Sequence, residues 1–396
     1  MASATADVVV IGAGVNGASV AFRLAERGVR RVAVLERRHL AAGASGKSGS
    51  LVRMHYTNVD ESRLAFASLR VFQHWDEVVG GDCGFQAPGF VQLVAPQYEE
   101  ALRANVAAQQ ALGVNTRVIS AAELRELAPV LRTDDLTYVA YEPESGYADP
   151  NATTYGFARR AAELGAAIRL HTEVVAIPTD RGRVTGVELA GGERIAAPVV
   201  VLAGGTWSSR LLAPLGLDFG LEPYRIQVAV FRWPPAVAGH PVVIDRILKC
   251  WFRPEGAGTL IGAEHGRDVR DPEGFDEGVD AGFVAASRAT LARRIPAMAD
   301  ATMRGGWAGM IAMSPDGKPI IDRLAEPDGL YLVVGDSGSS FKTAPAIGQC
   351  LAEWIVDGAP RTADLAAFRA ARFADGAAGP DEHAYGPRHE RLTISR

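Results

Sequence analysis

Asp7-Val-Val-Val-Ile11 runs directly into Gly12-Ala13-Gly14-Val15-Asn16-Gly17. The first five residues are acid-led, apolar and β-branched, which favours a buried strand. Residues 18–27 follow with Ala21, Leu24 and Ala25 spaced for one apolar helix face, and Gly28 closes them. Arg31-Val-Ala-Val-Leu-Glu36 then reads as a second strand. Strand, glycine turn, helix, strand is the setting in which GxGxxG binds a dinucleotide. Gly12 permits the tight turn, Gly14 lets a pyrophosphate approach the backbone, and Gly17 lets the helix pack close to the sheet. Free N–H groups at the helix start attract phosphate. Glu36 falls where an acid accepts from a ribose 2′-hydroxyl, which argues against a 2′-phosphate. An ordinary glycine-rich turn would leave Glu36 unexplained.

At 396 residues the chain is long enough for two domains. Its charged fraction of 22% and hydrophobic fraction of 48% are those of a globular protein. A net charge of −5 gives no basis for binding nucleic acid or an anionic membrane. Cys83, Cys250 and Cys350 are scattered and odd in number, so the expectation is a reducing compartment without disulfides. None forms a CxxC pair, which disfavours structural zinc, and no metal site is expected. The first residues lack a basic region and an apolar core, and no apolar run is long enough to span a bilayer. A cytoplasmic location is the expectation.

Further along, Arg37 to Ser50 is a small, polar, glycine-rich loop, and either a cofactor-lining or a linker role suits it. Arg53 follows between apolar residues, placed to meet a carboxylate of the protein or of a ligand. Helices are expected over 60–79, 97–112, 151–164, 278–294 and 344–357, with a capping box at Ser120 and Glu123. A strand pair is expected over 85–94. From Pro223 to Trp307 the texture becomes that of an antiparallel sheet with one embedded helix. Leu330-Tyr-Leu-Val-Val334 then enters Gly335-Asp-Ser-Gly-Ser-Ser-Phe-Lys342, a second strand, glycine loop and helix. Two phosphate-friendly loops so far apart suit one long cofactor held at both ends. A simple nicotinamide enzyme would leave the second loop without a role.

The chain resembles the FAD-dependent amine oxidoreductases related to D-amino acid oxidase, nearest the sarcosine oxidase and dimethylglycine oxidase branch. The resemblance rests on DVVVIGAGVNG, EPESGYADPN, VVVLAGGTWSSRL, SPDGKPIID and GDSGSSFK, in that order between Asp7 and Asp357. It implies an α/β (α+β) fold, a Rossmann-like FAD-binding domain interleaved with an antiparallel-sheet substrate domain. The corresponding boundaries are 1–85, 147–222 and 308–375 for the FAD domain, 86–146 and 223–307 for the substrate domain, and 376–396 for a loose tail. It places Gly12, Ala13, Gly14, Val15 and Asn16 at the pyrophosphate and Glu36 at the adenosine ribose, with Arg37 also binding the cofactor. Ser45, Gly46 and Ser48 lie near the flavin, Val174 on the adenine side, and Ala203, Gly204 and Trp207 beside the cofactor. Gly335, Ser337, Gly338, Ser339, Ser340, Phe341 and Lys342 reach the flavin end.

Substrates of such enzymes carry a carboxylate beside an amine, and the resemblance gives Arg53 and Lys342 to that carboxylate. Tyr56 and Trp251 are expected as aromatic walls over the flavin, with His55, Tyr224, Glu264 and His265 in packing or surface roles. The implied reaction moves hydride from a C–N carbon to flavin N5, giving an imine that water hydrolyses. The chain departs from the pattern twice. Gly309 stands where single-chain sarcosine oxidases attach flavin through cysteine, so non-covalent FAD is expected. Leu260 stands where they carry an oxygen-activating lysine, so the acceptor is either oxygen or an electron carrier. A subunit of a multi-subunit amine dehydrogenase is one alternative. A flavoprotein of the same fold acting on a hydroxy acid or glycerol phosphate is another.

Overall fold

The strand Val8–Ile11 lies inside a six-stranded sheet. Its strands run in the order Ile320–Arg323, Leu330–Val334, Val199–Leu202, Val8–Ile11, Val32–Leu35 and Ala167–Arg169. All pair in parallel except the first, which is antiparallel to its neighbour. The computed structural model describes residues 4–376, apart from 265 and 270, and then 381 and 383–386. His265 and most of the expected tail therefore lie outside the described residues.

Both faces of this sheet are covered, which explains why its strands read as continuous apolar runs. Val8 and Val10 point into one core with the helices Val15–Glu26, Pro150–Glu163 and Ala344–Asp357. Val9 and Ile11 point into a second core, shared with a four-stranded layer that includes Gly186–Leu189 and Val174–Ala176. The helix after the glycine turn begins at Val15, three residues before the expected start, because Gly17 already lies in its first turn. A Cβ on Gly17 would come 2.0 Å from the Gly12 carbonyl oxygen, so only glycine allows this approach.

The second sheet has nine strands. Glu222–Arg232 pairs on one side with Thr302–Met313 and on the other with Gly258–Ala263 and Arg267–Asp268. From Gly258–Ala263 the order continues through Cys250–Glu255, Val242–Asp245, Phe90–Leu93, Tyr138–Glu142 and Arg117–Ser120. The texture change at Pro223 is this sheet. One pairing breaks its antiparallel pattern, since Val242–Asp245 runs parallel to Phe90–Leu93. Of the strand pair expected over 85–94, only Phe90–Leu93 is a strand, and Gln86 forms a lone bridge to Tyr147. The helix expected over 60–79 breaks at His74 into Val59–Gln73 and Trp75–Val78.

Side-chain alternation divides this sheet between two environments. Val91, Leu93, Phe231, Phe252 and Ile261 pack under the helix Ala281–Arg294. Phe90, Val228, Ile244, Trp251 and Leu260 face the opposite way, in a separate apolar cluster. Trp251 and Ile244 carry that second face into the site described next. All three cysteines are buried and free. No helix among the described residues is long and apolar enough to cross a membrane.

Candidate active site

The first strand ends at a cavity of about 280 Å³. Gly12, Gly14, Val15 and Asn16 form its floor, and Glu36, Arg37 and Val174 line it at one end. Ala203, Gly204 and Trp207 come from the turn after Val199–Leu202, and Gly335 from the loop after Leu330–Val334. The carboxyl ends of three neighbouring parallel strands thus open onto one space, where an α/β sheet binds its ligand.

The turn is shaped for close approach. Gly12 has φ +100, and a Cβ there would lie 2.5 Å from the Ala203 carbonyl oxygen. A Cβ on Gly14 would meet the Ser45 hydroxyl at 3.0 Å. That hydroxyl accepts from the Val15 N–H at 2.9 Å, at the amino end of the helix. The Glu36 carboxylate accepts from the Ala13 N–H at 2.9 Å and from the Arg38 N–H at 2.8 Å. Ala13 itself lies behind the lining, fully buried, and serves the site through that N–H. The Asn16 side-chain oxygen is buried at the cavity and has no hydrogen-bond partner among the described residues. A backbone cradle that a Cβ would fill, at the amino end of a helix, fits a dinucleotide pyrophosphate.

Residues not expected from the sequence close the Glu36 end. Glu273 accepts from Arg37 at 2.7 Å, from Arg210 at 2.8 Å and from the Trp207 indole at 2.8 Å. The Arg37 hydrogen bond draws its carboxyl down to about 2. Arg37 also lies 4.8 Å over the Trp207 ring. Thr172, Met310 and Ala312 add to the lining. Met310 and Ala312 sit at the end of the long strand Thr302–Met313, and the only local pointer to them is the neighbouring Gly309.

A second cavity of about 80 Å³ continues from the first, sharing Val15, Ala44, Ser45 and Asp336 with it. Its walls are apolar: Ile226, Ile244, Ile311, Trp251 and Phe341. Trp251 is wedged between two glycines, since a Cβ on Gly49 or Gly262 would come within 2.1 or 2.2 Å of the indole. Into this small space reach Arg53 and Lys342, 2% and 6% exposed, with Asp336 also on its lining. The Arg53 guanidinium lies 4.4 Å from the Tyr56 ring centre, and the Lys342 ammonium 5.1 Å from the same centre. Arg53 also donates to the His55 carbonyl, and Lys342 to the Ser339 carbonyl at 3.0 Å. Ser48, Gly338 and Ser340 line the cavity, and the buried Ser340 hydroxyl has no hydrogen-bond partner among the described residues.

Several expectations need correction. Tyr56 is not a cavity wall; it is 1% exposed and lies beneath the two cations. Ser337 turns its hydroxyl to the Gly335 carbonyl, and Ser339 turns its own toward Glu61. Gly46 is held by its N–H to the Ala41 carbonyl. None of these lines either cavity. Ser337, Ser339 and Gly46 sit in glycine-rich loops, where what packs around each residue decides which way it faces. Asp336 lines both cavities, and burial pushes its carboxyl above the ordinary range although Lys342 draws it down. Tyr385, expected in a loose tail, is 5% exposed and stacks on His55. Tyr224 is buried beside Ile311, and Glu264 pairs with Arg246 at 2.9 Å.

Comparison with known proteins matches residues 7–354 to the DAO family, described as FAD dependent oxidoreductase. The sarcosine oxidase subunit beta of Rhizobium meliloti is 28% identical over 386 residues, covering 93% of this chain and 89% of that one. The glycine oxidase of Geobacillus kaustophilus is 27% identical, covering 92% and 97%. Among solved structures, L-proline dehydrogenase from P. horikoshii superposes with a TM-score of 0.87 at 27% identity, covering 94% of this chain and 99% of that one.

Proposed function

The chain belongs to the family of FAD-dependent oxidoreductases, and from that premise we propose that it oxidises the C–N bond of a small amino acid or N-alkyl amino acid. Gly12, Gly14 and Asn16 would hold the pyrophosphate of FAD in the larger cavity, and Glu36 its ribose. When bound, the flavin supplies the hydride acceptor. The observation that carries the substrate reading is the pair of buried cations, Arg53 and Lys342, lining one small cavity that opens into the larger one. Two cations lining one small pocket favour a bound anion, and a planar guanidinium suits a carboxylate.

Arg53 and Lys342 hold the carboxylate and thereby direct the rest of the substrate toward the junction at Val15, Ala44, Ser45 and Asp336. Trp251, Ile226, Ile244 and Ile311 bound the space left for the amine substituent or side chain and exclude water. Gly309 offers no side chain for a covalent link, in keeping with dissociable FAD. The test is anaerobic flavin reduction by N-methyl and free amino acids, each against its carboxamide. Acids should reduce the flavin with a KM roughly 10- to 100-fold lower than the amides. Replacing Arg53 with Lys should erase most of that difference. Amides that work as well as acids would end the reading.

A second reading is favoured by one residue. Leu260 is fully buried between Arg253 and Val230 on neighbouring strands, where the resemblance calls for the oxygen-activating lysine. The relative from Rhizobium meliloti is itself one subunit of an assembly by its name. On this reading the chain passes electrons to a carrier or a partner subunit. Turnover with a redox dye should then outpace turnover with oxygen, and equal rates would remove it.

A further inference from the structure

The backbone from Arg53 to Tyr56 is held from behind by a chain of hydrogen bonds that begins far away in sequence. The Asn105 amide nitrogen donates to the Tyr385 phenolic oxygen at 2.9 Å. With its oxygen so engaged, the Tyr385 proton is directed at His55 Nε2, 2.8 Å away. The other ring nitrogen, Nδ1, then carries the imidazole proton and donates to Gln109 Oε1 at 3.1 Å. The Gln109 amide nitrogen donates in turn to the Tyr56 carbonyl at 3.0 Å. Every donor in this series meets an acceptor, so the imidazole tautomer and the Gln109 orientation are mutually determined.

The same segment is gripped at two more points. The Met54 N–H donates to the buried Glu142 carboxylate at 3.0 Å, and the His55 carbonyl accepts from the Arg53 guanidinium itself. Tyr385 is anchored in its own right. Its ring lies parallel to the His55 imidazole at 5.9 Å between centres, and its carbonyl accepts from Arg246 at 3.2 Å. Close by in sequence, Asp381 accepts from Thr57 at 2.6 Å and pairs with Lys318 at 2.7 Å.

We propose that Tyr385 is a positioning residue for Arg53, acting through His55 to set the guanidinium in the geometry that receives the substrate carboxylate. The inference rests on the reading of Arg53 as the carboxylate anchor. Tyr385 lines neither cavity. Its hydroxyl restrains the imidazole, and the imidazole's peptide carbonyl restrains the guanidinium. Loss of the hydroxyl should therefore loosen carboxylate recognition and leave the chemical step intact, because C–H cleavage occurs elsewhere in the substrate.

The test compares Tyr385→Phe, His55→Gln, the double variant and Arg53→Lys, all in the full-length FAD-loaded enzyme. The measured quantities are KM and kcat for the best amino acid, and KM for its carboxamide. Tyr385→Phe, which keeps the ring stack, should raise the acid's KM roughly three- to tenfold, the effect of one lost hydrogen bond, with kcat unchanged. The carboxamide's KM should not move, whereas a merely structural defect would shift both. The double variant should show no more than the larger single effect, since the two residues form one chain. An unchanged acid KM in Tyr385→Phe, a parallel change for the carboxamide, or additive effects would overturn the proposal. If Arg53→Lys itself leaves the acid's KM unchanged, the anchor reading fails, and the two failures are told apart.

Discussion

Acid should weaken this protein through His55, and the size of the effect follows from its surroundings. The imidazole is 0% exposed, and burial, reinforced by the nearby Arg53 charge, lowers its pKa from 6.5 to about 3. Below pH 6.5 the unfolded chain takes up a proton that the native state excludes, so stability falls as pH falls toward about 3. Between pH 7.5 and pH 5 this one group removes about 2 kcal/mol, with a slope approaching about 1.4 kcal/mol per pH unit. His240 is also fully buried, with a pKa drawn down to about 4, and acts in the same direction. It is common to wild type and variant, as are the carboxylates, so a difference between two proteins isolates His55. Protonation would also turn Nε2 from acceptor to donor against the Tyr385 hydroxyl. The assay is urea unfolding followed by tryptophan fluorescence at pH 7.5, 6.5, 5.5 and 5.0, for wild type and His55→Gln. Wild type should lose about 2 kcal/mol more than the variant across that range. Parallel pH curves would refute the reasoning, because they would mean that the buried ring binds its proton equally well folded and unfolded.

Two further outcomes follow from the site geometry. Replacing Glu36 with Ala removes the acceptor for both the Ala13 and Arg38 N–H groups as well as the ribose contact. FAD affinity, measured by quenching of flavin fluorescence on reconstitution, should fall at least about tenfold, and an unchanged affinity would contradict the assignment. In Gly262→Ala the new methyl would meet the Trp251 indole at 2.2 Å, so the ring must move. The order of preference among amino acids of different side-chain size should change, whereas FAD content should not. An unaltered preference profile would show that Trp251 does not bound the substrate space.

The features legible in the sequence are those set by local covalent geometry. The Gly12-to-Gly17 turn, Glu36 after the second strand, and the Gly335-to-Lys342 loop each work over a few residues, where backbone conformation and hydrogen bonding depend on near neighbours. Arg53 could be picked out as a cation between apolar residues and Lys342 through the family resemblance, and they meet over one Tyr56 ring in the folded chain. Loop residues were harder. Ser337 and Ser339 share a loop with Ser340, but only Ser340 lines the cavity, because side-chain direction in a loop is set by what packs around it.

Other parts of the site come from pairings between distant stretches. Val242–Asp245 lies parallel to Phe90–Leu93, carrying Ile244 to the cavity, and no property of either strand alone chooses that partner. Trp251 owes its place to Gly49 and Gly262, and Tyr385 owes its burial to His55 and Asn105. Composition and periodicity report how a residue behaves with its neighbours in the chain. Contacts made hundreds of residues apart depend on shape, exclusion of water and matched hydrogen bonds, which exist only once the two sheets and their loops have assembled. The amino-acid order was therefore enough to announce a dinucleotide cradle and two unusual cations, whereas the size of the second cavity, its apolar walls and the support behind Arg53 were decided by tertiary packing.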